Sequence, residues 1–228
     1  MKPSCPTTPE SRVYSSKLLD RRWLTEKVFE IELSKPASFQ FMAGHRIQFF
    51  RGDMQRDYSL ITGPADSTLA LCVYNLAGGR FSPVLASAPV GSSLSFTGPH
   101  GYFTYRPSAR QAVFVATGTG IAPFLSMVRS GITGFTLLHG VRTPKELYYQ
   151  DDFRRTARLY VPCLSATFRA KGAPDTGFRG RVIQYLEEHL PLREYDFYLC
   201  GGQKMIRDVL FLVDTRFPGS LVYTEIFY

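Results

Sequence analysis

The sequence predicts an α+β chain in two domains: an antiparallel β-barrel over residues 8–107, then an α/β domain with a parallel sheet over residues 108–228. Three observations carry this. The first half holds short apolar–polar alternations broken by Gly- and Pro-rich turns, the pattern of an antiparallel barrel or sandwich. Past "YRPSAR" (105–110), continuous apolar runs alternate with helical periodicities, which implies a parallel sheet covered on both faces. The length, 228 residues, suits one large domain or two small ones.

In chain order, the start "MKPSCPTTPESRV" is Pro/Ser/Thr-rich and reads as a frayed tail. Strands follow at "KVFEIEL" (27–33), "HRIQFF" (45–50), "DYSLIT" (57–62), "LALCVYN" (69–75) and "SLSFTGP" (93–99). "PVLASA" (83–88) is a short helical turn between the last two. The second half opens with the apolar strand "QAVFVAT" (111–117) and a helix over "APFLSMVRSG" (122–131), stopped at Gly131. Strand "GFTLLHGVR" (134–142), helix "LYYQDDFRRTA" (147–157) and strand "RLYVPCLSA" (158–166) come next. Helix "GRVIQYLEEHL" (180–190) puts Val182, Tyr185, Leu186 and Leu190 on one face. Strand "DFYLCGG" (196–202), helix "KMIRDVLFLVDTRF" (204–217) and a fifth strand, "SLVYTEIFY", end the chain.

Composition excludes several classes. The apolar content is that of a folded protein, and no apolar run is long enough to span a bilayer. The N-terminus lacks the apolar core of a signal peptide, so a cytoplasmic location is expected. Cys5, Cys72, Cys163 and Cys200 are far apart, and His45, His100, His139 and His189 are equally scattered; neither set has metal-site spacing. The net charge of +8 favours acidic partners, but the cations are spread along the chain and no nucleic-acid motif is present.

Glycine-rich strand ends point to chemistry. Gly118 and Gly120 follow the first strand of the α/β half and precede its helix, with Pro123 in the first helical turn. Ligands gather beyond the carboxyl ends of parallel strands, and a helix N-terminus suits a pyrophosphate. A plain tight turn would use the same residues, and Pro123 stands where a third fingerprint Gly would be. Cys200-Gly201-Gly202 closes the fourth strand at the same sheet edge, which favours the phosphate reading. In the barrel half, "RDYS" (56–59) places Arg56 and Tyr58 at like parity, one suited to a phosphate and the other to a flat ring. "GGRFS" (78–82) offers backbone N–H groups and the Ser82 hydroxyl, again a possible phosphate cradle.

Taken in order, these pieces resemble the ferredoxin–NADP reductase family of flavoproteins. "RDYS" is similar to its R-x-Y-[ST] flavin motif, "AGGRFS" to its flavin-phosphate loop and "GPHGYF" (98–103) to its G-P-x-G-x-F. "GTGIAPF" resembles its nicotinamide-pyrophosphate loop, "CGG" its C-G-x strand end and "EIF" its terminal E-x-aromatic. The resemblance implies an FAD-binding barrel, an NAD(P)-binding α/β domain, and hydride transfer between nicotinamide and flavin followed by single-electron transfer. By that resemblance Arg56 pairs with flavin phosphate, Asp57 belongs to the flavin motif, Tyr58 packs on the flavin and Ser59 hydrogen-bonds near its N5. Gly78, Gly79, Arg80, Phe81 and Ser82 hold its pyrophosphate; Thr117, Gly118, Thr119 and Gly120, with Gly201 and Gly202, take the nicotinamide pyrophosphate. Cys200 and Glu225 lie near the reacting atoms, and Phe227 or Tyr228 covers the flavin face.

The loop "SATFRAKG" (165–172) lacks carboxylates and carries Arg169 and Lys171, which leans toward NADPH, with NADH possible; the family pattern adds a Ser165 contact. With no cluster cysteines in the chain, the electron acceptor is expected to be a separate small acidic protein of the ferredoxin or flavodoxin type. Alternatives of the same architecture are a reductase that uses flavin as substrate and the reductase component of an oxygenase. A non-catalytic flavin-binding subunit is the rival from another class.

Overall fold

Period-2 burial organises the first half. The computed structural model describes residues 12–166 and 177–227. Its first sheet contains β1 (Val13–Trp23), β2 (Val28–Ser34), β3 (Arg46–Arg51), β4 (Met54–Ser59), β5 (Thr68–Tyr74) and β6 (Ser93–His100), in the order β4-β3-β6-β1-β2-β5. Every pairing is antiparallel. A bridge between Leu60 and Leu71 joins the chain just beyond β4 to β5, drawing the two edges together. Phe29, Ile31 and Leu33 of β2, Ile47 and Phe49 of β3 and Phe96 of β6 fill the interior at alternate positions. Helix α1 (Ser82–Ser87) adds Leu85 to that core.

No strand is legible at β1 in the sequence, and the reason is visible. Only Ser16 and Leu18 are buried along its eleven residues. Its first part pairs with β6 and its second with β2, with a register irregularity between Leu18 and Asp20. A strand that changes partners at a bulge does not keep one face inward, so its alternation is broken. The expected strand over 57–62 also shifts: β4 begins at Met54 and ends at Ser59.

In the second half, β7 (Gln111–Thr117), β8 (Thr136–Val141), β9 (Leu159–Leu164), β10 (Phe178–Arg179), β11 (Tyr195–Gly202) and β12 (Leu221–Phe227) form a six-stranded sheet, ordered β10-β9-β8-β7-β11-β12. All its pairs are parallel. The two-residue β10 was not anticipated; the other five strands stand where the sequence places them. Helices α4 (Val182–His189) and α5 (Gln203–Arg216) cover one face through Val182, Leu186, Ile206 and Val209. The other face packs on α2 (Ala122–Arg129) and α3 (Gln150–Thr156), and also on Val28, Ile61, Cys72 and Phe103 of the barrel half. The two halves therefore share this cluster, apart from the barrel's own interior and the core beneath α4 and α5. Helix α3 starts later than the sequence suggests because Tyr149 takes a left-handed φ of 59°, which helical periodicity cannot reveal.

Candidate active site

The strand order places β8 and β9 on one side of β7 and β11 and β12 on the other. The direction of winding reverses at β7 and β11, and the crevice of an open parallel sheet lies at such a reversal, beyond the carboxyl ends. Here those ends are Thr117-Gly118 and Gly201-Gly202. They are tied together: the Gly202 N–H donates to Thr117 Oγ1 at 3.2 Å. Gly118 has φ +55°, and residues 118–121 form a 3-10 turn leading into α2, with Pro123 in its first turn. Gly120 is buried because the turn lies directly on β11. A Cβ there would sit 2.7 Å from the Cys200 carbonyl carbon and 2.8 Å from Gly201 Cα.

His139 of β8 supports this turn from beneath. Its ring is fully buried, with Nε2 3.3 Å from the Gly118 carbonyl oxygen and Nδ1 3.4 Å from the Tyr160 hydroxyl. Burial lowers its pKa to about 4, although the Gly118 contact works the other way. The neutral ring therefore donates from Nε2–H to Gly118 and accepts at Nδ1.

A cleft of about 430 Å³ opens from this turn, lined by Thr117, Gly118, Thr119, Gly140 and Ser165. Its wall also carries Arg142, Arg181 and Lys204 with Glu146 and Asp208. Glu146 Oε2 accepts the backbone N–H groups of Arg142 and Thr143 at 2.8 and 3.0 Å, and Asp208 pairs with Lys204 at 2.7 Å. Both carboxylates thus have partners within the protein. Ser165 lines the cleft; Arg169 and Lys171 lie outside the described residues. Arg142 and Arg181 were not singled out from the sequence. Their signal was position: one directly follows a strand's carboxyl end, and the other precedes a helix on the same side.

The barrel contributes a second group of residues. Tyr58 is half-buried, with its ring centroid 5.8 Å from Phe49 and 6.3 Å from Phe81, so the "RDYS" strand and the "GGRFS" loop meet through these rings. Burial raises the Tyr58 pKa to about 12, so it is a neutral phenol. Arg56 is exposed, and one guanidinium nitrogen bonds the neighbouring Gln55 carbonyl at 2.6 Å. Gly78 and Arg80 are exposed, and Gly78 takes φ +74°. Gly79 lies against Leu76, and Ser82 Oγ accepts the Leu76 N–H at 3.0 Å, which folds the loop back on itself.

The two halves converge at the end of β12. Register pairs Cys200 with Glu225 and Gly202 with Phe227. Cys200 is fully buried, and desolvation with the adjacent Glu225 raises its pKa well above the ordinary thiol value; it is a protonated thiol. Phe227 packs on the shared core that contains Cys200, while Tyr228 lies outside the described residues. Glu225 is buried, and its Oε1 accepts from Arg46 Nη1 at 2.9 Å. Burial raises the Glu225 pKa and outweighs the opposing pull of Arg46. Asp57, on the face opposite Tyr58, accepts from Arg46 Nε at 2.9 Å and from Gln48 Nε2 at 2.8 Å. Five buried side-chain oxygens among the described residues have no hydrogen-bond partner, and two of them, Ser59 Oγ and Glu225 Oε2, belong to this group. Such groups are costly unless a ligand or water completes them.

A glycine-lined crevice on a parallel sheet, packed against a barrel with its own glycine-rich loop, is the two-domain arrangement of a dinucleotide-binding oxidoreductase. Comparison with known proteins agrees. Residues 24–105 match the oxidoreductase FAD-binding domain and residues 114–210 the oxidoreductase NAD-binding domain. The chain belongs to the FAD- and NAD-binding oxidoreductases of the ferredoxin–NADP reductase type. It is 30% identical over 209 residues to the toluate 1,2-dioxygenase electron transfer component of Pseudomonas putida, covering 86% of this chain and 62% of that protein. It is 29% identical to ferredoxin–NADP reductase B of Sorangium cellulosum, covering 86% and 89%. The crystal structure of a ferredoxin NADP+ reductase from Neisseria gonorrhoeae with bound FAD and NADP shares its fold, with a TM-score of 0.82 at 24% identity over 96% of this chain and all of that one. Among the described residues, no helix is long and apolar enough to cross a membrane.

Proposed function

We propose that this protein passes hydride between NADPH and FAD, and single electrons to or from a small acidic carrier of the ferredoxin or flavodoxin type. Residues 8–107 would hold the flavin and residues 108–228 the nicotinamide nucleotide. The observation that carries the reading is that two of the five buried, unpartnered side-chain oxygens among the described residues are Ser59 Oγ of the flavin-motif strand and Glu225 Oε2 of the last strand. They suit a polar ring edge that would complete both. Bound flavin supplies hydride acceptance and the conversion to single electrons. The chain's residues do the rest. Tyr58 packs a neutral ring against the flavin; Arg56 and the Gly78–Ser82 loop serve its phosphates. Ser59 would donate a hydrogen bond, and Glu225 Oε2 would accept one, at the reacting edge. Phe227 shields that edge from water, and Cys200 packs beneath it.

NADPH is preferred because Arg142 and Arg181 line the cleft while its two carboxylates are occupied, Glu146 by backbone N–H groups and Asp208 by Lys204. The net charge of +8 fits an acidic protein acceptor. A second reading, the reductase component of an oxygenase, is favoured by the likeness to the toluate dioxygenase component. It shares the hydride half and differs only in the acceptor. The test is the anaerobic visible spectrum of the purified protein, before and after NADPH or NADH. Flavin bands bleached more readily by NADPH are expected. A protein that stays yellow with both nucleotides would refute the reading, and a colourless one would make flavin a substrate.

A further inference from the structure

Arg46 belongs to none of the motifs that mark the cofactor sites, yet it stands where the two halves meet. It opens β3, and its Cα partner on β4 is Ser59. Residues directly opposite in a ladder send their side chains to the same face. Arg46, Gln48, Asp57 and Ser59 therefore share one face of the β3–β4 pair, and Ile47, Phe49, Arg56 and Tyr58 the other. The guanidinium uses separate nitrogens on separate carboxylates: Nε on Asp57 at 2.9 Å and Nη1 on Glu225, 179 residues away, also at 2.9 Å. Asp57 is in turn held by Gln48 on its other oxygen. The line Gln48–Asp57–Arg46–Glu225 runs from the barrel surface into a side chain that is 6% exposed.

Space is reserved for this cation. Gly101, at φ +96°, faces it; a Cβ there would lie 3.0 Å from Arg46 Nη1. The positive φ of Gly101, the second glycine of "GPHGYF", already favours glycine, and the missing side chain leaves the guanidinium room. The line also accounts for the free oxygen. Arg46 occupies Oε1 of Glu225 and leaves Oε2 unpartnered, as the hydroxyl of Ser59, its own ladder partner, is unpartnered.

We propose that Arg46 is a positioning residue of the reaction centre: it clasps Glu225 of the last strand to Asp57 of the barrel and so presents one ionised carboxylate oxygen, beside Ser59, to the flavin edge. This rests on the flavin reading given above. The charged and titratable groups that face Glu225 are Arg46 from β3, Asp57 from β4 and the Cys200 thiol from β11, with His45 and His100 next to Arg46. Arg46 alone among them stabilises the carboxylate; Asp57 and burial oppose it. Removing Arg46 leaves a buried carboxyl with no cation, and it takes up a proton at higher pH.

The experiment uses the full-length holoprotein, R46M, R46Q as a second uncharged variant, and R46K as the conservative rescue. The carboxyl C=O infrared band that disappears in E225Q is followed against pH, together with FAD content and single-turnover reduction by NADPH. In R46M and R46Q the band appears at a pH higher by about one unit or more, a tenfold or greater gain in proton affinity. FAD content stays at the wild-type level. The reduction rate falls while the apparent Kd for NADPH holds, and R46K recovers most of both changes. An infrared midpoint equal to wild type in both uncharged variants overturns the proposal. So does loss of FAD from R46K along with R46M, which would make Arg46 a flavin ligand. A wild-type protein that takes up no FAD overturns the flavin reading instead, and is recognisable because the carboxyl titration does not require flavin.

Discussion

Gly120→Ala is a one-carbon test of how the nucleotide turn is built. The new Cβ would lie 2.7 Å from the Cys200 carbonyl carbon and 2.8 Å from Gly201 Cα. Ordinary carbon–carbon contact begins at about 3.5 Å. The obstacles are backbone, so no rotamer change relieves them, and the 3-10 turn must move off β11 by about 1 Å. Overpacking of this kind costs about 1–3 kcal/mol. The same displacement stretches the 3.2 Å bond from Gly202 N–H to Thr117 Oγ1, worth about 1 kcal/mol more. The expected loss is about 2–4 kcal/mol in urea unfolding, with nicotinamide nucleotide affinity weakened and FAD content retained. Gly118→Ala is the control. It has φ +55° and nothing within 4 Å of an added Cβ, so it carries only backbone strain of about 1 kcal/mol. If Gly120→Ala unfolds at the wild-type urea concentration, or Gly118→Ala proves the more destabilising, the close-approach argument is wrong.

Other outcomes follow from the same geometry. His139, held neutral with its pKa lowered to about 4, contributes stability that is full above its ordinary 6.5 and is lost as pH falls toward 4. Unfolding free energy should therefore drop by about 2 kcal/mol between pH 7.5 and 5 from this residue alone; His139→Gln should flatten that part of the profile, and an unchanged slope would count against it. Arg142→Glu and Arg181→Glu should each weaken NADPH binding about tenfold or more, an opposed charge replacing a matched one, with a smaller effect on NADH; equal losses for both nucleotides in a fluorescence titration would deny them the 2′-phosphate. Arg56→Ala should lower the FAD content of the purified protein, and full flavin occupancy would remove its assigned role.

Legibility in the sequence divides along the range of the interactions. The parallel strands were legible because a doubly covered sheet writes continuous apolar runs such as "VFVA" and "FYLC". The glycine loops were legible because positive φ and close approach both demand Gly, a local requirement. β1 was not, since its two partners take turns along its length. Nor was the late start of α3, set by the left-handed Tyr149, whose hydroxyl reaches Glu30 of the barrel at 2.8 Å. Arg46 was hidden for the same reason. Its meaning lies in a pairing across 179 positions, and no window of sequence contains both partners.

The register of the last strand joins two short motifs into one surface. In a parallel ladder, Cys200 faces Glu225 and Gly202 faces Phe227. Alternation puts Tyr198, Cys200 and Gly202 on the face that also presents Tyr223, Glu225 and Phe227. That is the face turned toward the barrel-side core, where Tyr198 and Cys200 are buried and Tyr223 and Phe227 pack against them. The spacing within "CGG" and within "EIF" is thus one requirement, set by the strand period. A single-residue insertion between Leu221 and Thr224 would turn Glu225 and Phe227 to the α4–α5 side, and bring Thr224 and Ile226 to the barrel. Such a chain would keep every motif and lose the Arg46–Glu225 clasp, so the position of Glu225 along β12, more than its presence in the sequence, connects the sheet to the barrel.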